Sequence, residues 1–158
     1  MDNGKLKKIF GVGLTGAFIS LVLLAIAFWF DCLLGHPAIS AHPAALRVAA
    51  AFLVAIGLCL HVWTLWTLRD WWKNDQLCTL GPFTYFRHPM YAAWISFISS
   101  GLVLYLNSWT LVCWLAVLQL VWHRLVSREE RLMQELFGEK YRSYASHTGR
   151  FIPRIFLR

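Results

Sequence analysis

Three stretches of this chain carry no formal charge: residues 9–30, residues 48–68 (interrupted only by His61) and residues 90–122. They run to 22, 21 and 33 residues. A helix rises about 1.5 Å per residue, so about 20 apolar residues cross a hydrocarbon core of about 30 Å. The first two runs each match one crossing. The third is too long for one and short for two, but Asn107-Ser108-Trp109 places a polar break and an interfacial aromatic at its middle.

Charge decides how the third run is threaded. Arg124, Arg128, Arg131, Lys140, Arg142, Arg150, Arg154 and Arg158 follow it; Lys5, Lys7 and Lys8 precede the first run; Arg69, Lys73 and Arg87 stand between the second and third. If the third run is a tight hairpin, all these cations share one face and only Arg47 lies on the other. A single crossing would translocate eight basic residues, against the positive-inside tendency. The expected fold is therefore all-α, a polytopic integral membrane helical bundle of four transmembrane helices. Helices three and four form the hairpin, and a C-terminal cytoplasmic helical segment follows. Residues 1–76 read as an N-terminal membrane region of two spans and a cytoplasmic loop, with 77–158 as a second region. The expected location is a bacterial inner membrane with both termini cytoplasmic.

The formal charge of +7 then has a membrane explanation, cations facing anionic headgroups. Nucleic-acid binding is disfavoured because the basic residues flank spans instead of forming a soluble basic face. Cys32, Cys59, Cys78 and Cys113 form no C-x-x-C pair, so they read as small apolar packing residues. Ala25-Ile26-Ala27 mimics a signal-peptide cleavage site, yet the apolar run continues through Phe28-Trp29-Phe30 and favours an uncleaved span. "GVGLTG" at 11–16 spells a dinucleotide fingerprint, but it lies inside a span with no preceding strand. Small residues there serve close helix approach instead. His36 and His42, each before a proline in the outer loop, lack the neighbours that would complete a metal site, and no metal is expected. His61 sits within a span, where an ionisable group is costly and often functional. A place near the inner end of span two, bonded to a neighbouring helix, is the plainer alternative.

The chemistry-bearing residues gather in "TLGPFTYFRHPMYAAW" (79–94) and "VSREERLMQELFGEKYRSY" (126–144). Pro89 suits a helix first turn, where its missing N–H would be unpaired anyway. The amides behind it and the helix dipole favour an anion. Arg87 adds fixed charge, His88 a switchable donor or acceptor, and Tyr91 a ring and hydroxyl. The second stretch reads as a helix running off span four, with apolar Val126, Met133 and Phe137 on one stripe and Gly138 as its stop. Glu129-Glu130 falls about one turn beyond the span, on the face where Arg87 and His88 emerge. The pair is either a solvated acidic surface or the complement of that cationic wall. A positively charged, zwitterionic ligand with ribose hydroxyls would satisfy both halves.

"GPFTYFRHPMY", an apolar hairpin, "EERLMQELFGEKYRSY" and "RFIPR", in that order, resemble the isoprenylcysteine carboxyl methyltransferase and phospholipid N-methyltransferase superfamily over about residues 77–153. The resemblance implies a small helical membrane enzyme using S-adenosylmethionine, with membrane lipids as surroundings and a lipophilic methyl acceptor: an isoprenylcysteine-like carboxylate, a phospholipid amine or a thiol. It implies cofactor contacts from Leu77, Cys78, Gly81, Phe83, His88, Pro89, Tyr91, Glu129 and Glu130. Arg87, Tyr91 and Arg124 are the residues it places nearest the chemistry. Phe83 stands where the family often has Tyr. Leu125, with Arg124 beside it, stands where the prenylcysteine enzymes carry a substrate-contacting Arg, a departure that counts against prenylcysteine itself as the acceptor. Two other classes use similar features. An NADPH-dependent membrane sterol reductase shares an Arg-His-rich motif before a span but calls for more basic contacts. A non-catalytic membrane scaffold would use Arg87 and Glu129 only as an interfacial ion pair.

Overall fold

The structure, a computed structural model, describes residues 3–71 and 76–154, the side chains of 3–11 and of 70 excepted. Lys73 and Arg158, and the side chains of Lys5, Lys7 and Lys8, lie outside that description. Five helices follow in order: α1 (Asn3–Leu33), α2 (Ala44–Trp71), α3 (Pro89–Leu106), α4 (Trp109–Phe137) and α5 (Glu139–His147). A short 3₁₀ turn, Gly81–Thr84, precedes α3. The first four helices are long and apolar enough to cross a membrane. Among the described residues there is no strand, only two isolated bridges.

Apolar side chains such as Leu14, Phe18, Phe52, Trp66 and Leu120 point outward along the spans, as lipid-facing helices require. Lipid is as apolar as leucine, so burial alone cannot bring such helices together, and small residues must. α1 packs on α4 and α2 on α3. A Cβ on Gly16 would stand 2.5 Å from the Trp122 ring, and one on Gly57 or Gly101 would press on the carbonyls of Ala93 or Ala50 at 2.9 and 3.0 Å. Gly13 and Gly16 of "GVGLTG" thus act in helix packing, against Tyr91 and Trp122, and Gly11 lies outside the described side chains. Trp122 donates its indole N–H to Ser20 Oγ at 2.9 Å, and Ser20 donates to the Gly16 carbonyl at 2.7 Å. The cysteine expectation is corrected here: Cys32, Cys59 and Cys113 are exposed on the outer surfaces of their helices, where in a span they meet lipid instead of filling the core.

At one end of the bundle the α1–α2 loop is laced to the α3–α4 turn. Asn107, at φ 54°, closes that turn, and Ser108 caps α4 by accepting from the Thr110 amide at 3.2 Å. Ser40 N–H donates to Asn107 Oδ1 at 3.0 Å, and Asn107 Nδ2 returns a bond to Ser40 O at 2.8 Å. Asp31, buried at the end of α1, accepts from Ser108 Oγ and pairs with His36 Nδ1 at 2.6 Å. The hairpin expected at Asn107-Ser108-Trp109 is thereby observed, and the two helix pairs are tied at their turns.

α3 is not uniform. Residues Ala92–Ile98 wind as a π-helix between α-helical ends. Gln119 of α4 reaches into this wider segment and donates to Ile95 O at 3.2 Å. His61 faces it from α2, accepting the Trp94 indole N–H on Nδ1 at 3.2 Å, which is the neighbour-helix bond weighed for it above.

Close packing at Gly16 has a measurable consequence. Gly16→Ala should destabilise the purified protein by about 1–3 kcal/mol through overpacking against Trp122, and Ser20→Ala by about 1 kcal/mol through the lost indole partner. Thermal unfolding in detergent checks both. An unchanged midpoint for Gly16→Ala would contradict the α1–α4 contact.

Candidate functional site

At the end opposite the laced turns, α3 begins and α4 runs on past its apolar stretch. Gly81, at φ 59°, opens the 3₁₀ turn in a left-handed conformation that a Cβ would oppose, and its missing Cβ also leaves room for Thr67 Oγ1 at 2.7 Å. The turn delivers Phe86, Arg87 and His88 to the start of α3. Pro89 at the first helical position, buried, fixes the entry. α4 continues to Phe137 and stops at Gly138 with φ 53°, ψ −126°, a conformation reserved for glycine. The helix expected over 126–144 is therefore two pieces, α4 and α5. The break lets α5 fold back, so that the Tyr144 hydroxyl donates to the Phe83 carbonyl at 2.7 Å.

The sequence-distant polar groups meet here. Tyr91 Oη donates to Glu129 Oε1 at 3.0 Å, and His88 Nδ1 lies 3.7 Å from Glu129 Oε2. Arg87 Nη1 is 3.3 Å and His88 Nε2 3.5 Å from Glu130 Oε1. Glu129 is only 3% exposed, so the acidic pair is no solvated face. A buried carboxylate is tolerated only with donors around it, and both glutamates have them. Rings close the floor: His88 stacks on Tyr91 at 5.7 Å and Tyr91 tilts against Trp122 at 4.7 Å. A Cβ on Gly13 would meet the Tyr91 hydroxyl at 3.4 Å, so α1 covers this floor from the bilayer side.

The residues named from sequence fall into three groups. Arg87, His88, Pro89, Tyr91, Glu129 and Glu130 form the cluster. Gly81 and Phe83 lie in the turn behind it, Phe83 through its carbonyl bond to Tyr144, and Leu77 and Cys78 are partly buried in the approach to that turn. Burial pushes the Cys78 thiol up from its ordinary value. Arg124 is exposed, and lies about 200° around the helix from Trp122, so it is not brought into the cluster.

Two residues that sequence reasoning left without a role also stand in it. Arg150 pairs with Glu130 through Nε at 3.1 Å and through Nη2. Tyr141 is buried beside Arg87 with its hydroxyl in no hydrogen bond of ordinary geometry among the described residues, and burial, together with the Glu130 carboxylate, pushes the phenol up to about 12. The available signal for Arg150 was its place at the head of "RFIPR". Arg87 Nε and His88 Nε2 are likewise buried without a hydrogen-bond partner among the described residues. Three unsatisfied polar atoms at one charged cluster are rare in a finished fold. Among the described residues no group of His, Cys, Asp or Glu is arranged to hold a metal ion.

Paired carboxylates and an Arg-His-Pro helix start thus meet at one end of a bundle whose first four helices are long and apolar enough to cross a membrane. The family model for phospholipid methyltransferases matches residues 45–140, more than half of the chain, and the chain belongs to that family. No curated protein matches it. The match takes in all of α3 and α4 and reaches back into α2, further than the motifs in 77–153 suggested, and it ends before Arg150. The protein is thus a membrane methyltransferase in general character.

His88 gives the cluster a pH dependence. Burial, outweighing the neighbouring Glu130, holds its imidazole below the ordinary value. The unfolded chain then binds that proton more readily, so the stability involved is complete above about pH 6.5 and declines as pH falls below it. Between pH 7.5 and pH 5.5, the unaltered protein should therefore lose more stability, or gain less, than His88→Gln in thermal unfolding. An equal change in the variant would assign the slope to another group.

Proposed function

We propose that this chain transfers a methyl group from S-adenosylmethionine to an apolar or lipid-linked acceptor, a phospholipid amine being the class the family favours. The observation that carries the reading is the meeting of Arg87, His88 and Tyr91 with Glu129 and Glu130 at one end of the bundle. The residues present fit such a cofactor. Glu129, with one oxygen taken by Tyr91 and the other beyond hydrogen-bond reach of His88, suits an ammonium or ribose hydroxyl. The unsatisfied Arg87 Nε, His88 Nε2 and Tyr141 Oη suit a carboxylate. Leu77, Cys78, Gly81 and Phe83 offer a partly apolar rim for an adenine.

When bound, S-adenosylmethionine supplies an electrophilic methyl group on a sulfonium. The chain's own contribution is orientation and exclusion of water. Tyr91 is held by Glu129 on one side and by His88 and Trp122 on the other, so its ring and hydroxyl form a fixed wall between the cluster and the bilayer. An amine acceptor must shed a proton before it attacks; Glu129 and the neutral His88 are the groups placed to take it. A thiolate or carboxylate acceptor needs no such step. With the spans in lipid, an acceptor tail reaches this end from within the membrane while the cofactor enters from water. With it goes the proposal that the membrane is a bacterial inner membrane and that both termini face the cytoplasm, a reading supported by the basic residues that flank the spans at this end.

Two measurements test the reading. S-adenosylmethionine, and not NADPH, should raise the unfolding midpoint of the purified protein. Membranes given labelled S-adenosylmethionine should carry label into the lipid fraction, and Glu129→Gln should weaken cofactor binding about tenfold. Stabilisation by NADPH alone, or label confined to water-soluble products, would overturn it. For topology, a reporter fused after Arg158 should be active only when it is of the kind that works in the cytoplasm; activity of an externally working reporter would reverse the orientation.

A further inference from the structure

Glu129 and Glu130 are adjacent in sequence but differ in what they have left to offer. Glu129 has one hydrogen bond, from Tyr91. Glu130 is surrounded: Arg87 Nη1 at 3.3 Å, His88 Nε2 at 3.5 Å and Arg150 Nε at 3.1 Å all face Oε1, while Arg150 Nη2 takes Oε2. A forked guanidinium–carboxylate pair is among the stronger polar contacts in proteins. A ligand cation would have to break it to reach Glu130.

Arg150 is itself placed with some care. Residues 149–151 lie beside the segment before α3: Arg87 N–H donates to Gly149 O at 2.7 Å, His88 N–H to Arg150 O at 3.3 Å, and Gly149 N–H to Tyr85 O at 3.3 Å. Gly149 allows the chain to turn back on itself there, since a Cβ would fall 1.7 Å from the Ile152 carbonyl oxygen. Phe151, 2% exposed, packs edge-on against His123 at 4.8 Å. Arg150 Nη1 donates to the His123 carbonyl at 3.0 Å. All three of its guanidinium nitrogens are therefore engaged by α4, leaving none prominent for a ligand.

From this we infer that Arg150, outside the residues matched by the family, is a positioning residue of the proposed cofactor site. It holds Glu130 toward Arg87 and thereby leaves Glu129 as the acid that meets the ligand. The inference rests on the S-adenosylmethionine reading. It divides an acidic pair that looks equivalent in sequence into one ligand group and one strut.

Calorimetric titration of S-adenosylmethionine into the purified full chain in nanodiscs tests it, beside steady-state kinetics. If the unaltered protein does not bind S-adenosylmethionine, the function proposed above fails and the inference with it. If it binds, Arg150→Ala should weaken binding about tenfold, and Arg150→Lys, which keeps charge but loses the fork, only about threefold. KM for S-adenosylmethionine should rise while that for the acceptor stays put, a split that general loosening of the fold would not produce. Arg154→Ala, removing an exposed cation whose hydrogen bond among the described residues is to the Ser146 carbonyl, should bind as the unaltered protein does. Should Arg150→Ala fail to fold, Arg150→Lys and Glu130→Gln serve as the pair. Their double variant should lose no more than the worse single one, because both remove one interaction. Losses that multiply, or unchanged binding in a folded Arg150 variant, would overturn the inference.

Discussion

A carboxylate at the end of a membrane span must be matched by donors or be driven out into water. Glu130 is matched by the guanidinium groups of Arg87 and Arg150, one from before α3 and one from beyond α5, and that requirement organises the end of the molecule. Satisfying it brings residues 85–88 against 149–151 and fixes the direction in which α3 departs. It also sets Tyr91 across from Glu129. The rest of the bundle supplies the platform: two helix pairs, each zipped by small residues and laced together at the far turns through Asp31, Ser108 and Asn107.

The spans and their order were plain in the sequence, because hydrophobic length is a coarse requirement that the membrane imposes directly. The hairpin break was plain too, since asparagine, serine and tryptophan each do something specific at an interface. Gly138 was read as a stop and acts as one, although the chain beyond it forms a separate helix instead of the tail of a longer one. The cysteine reading failed for a physical reason. In water a small sulfur-bearing side chain gains by burial, but against lipid that gain is absent, so Cys32, Cys59 and Cys113 can face outward at little cost.

The cluster was half legible. Arg87, His88, Tyr91 and the acidic pair stood out by type and by position at span ends, and the structure brings them together. Arg124 also stood out, yet helical phase turns it away; one residue on a helix is about 100°, too fine a difference for a motif comparison to hold. Arg150 and Tyr141 could not be found by spacing, because their places depend on how the chain folds back after Gly138. That reversal is a tertiary event with no periodic trace. The difference between Glu129 and Glu130 was invisible for the same reason, being set by partners and not by the residues themselves.

The π-helical stretch at Ala92–Ile98 acts as a phase shifter. A single α-helix in this place would keep one rotational setting from end to end, and whichever face met α2 would dictate where the other faced. Widening seven residues in the middle uncouples the two. The stretch from Ser99 to Leu106 can seat Gly101 on the Ala50 carbonyl, while Tyr91, at the other end of the same rod, turns independently toward Glu129 and Trp122. The same residues wound as ordinary α-helix throughout would keep their hydrophobic length and still cross the bilayer. Their two ends would then differ in phase by roughly a quarter turn.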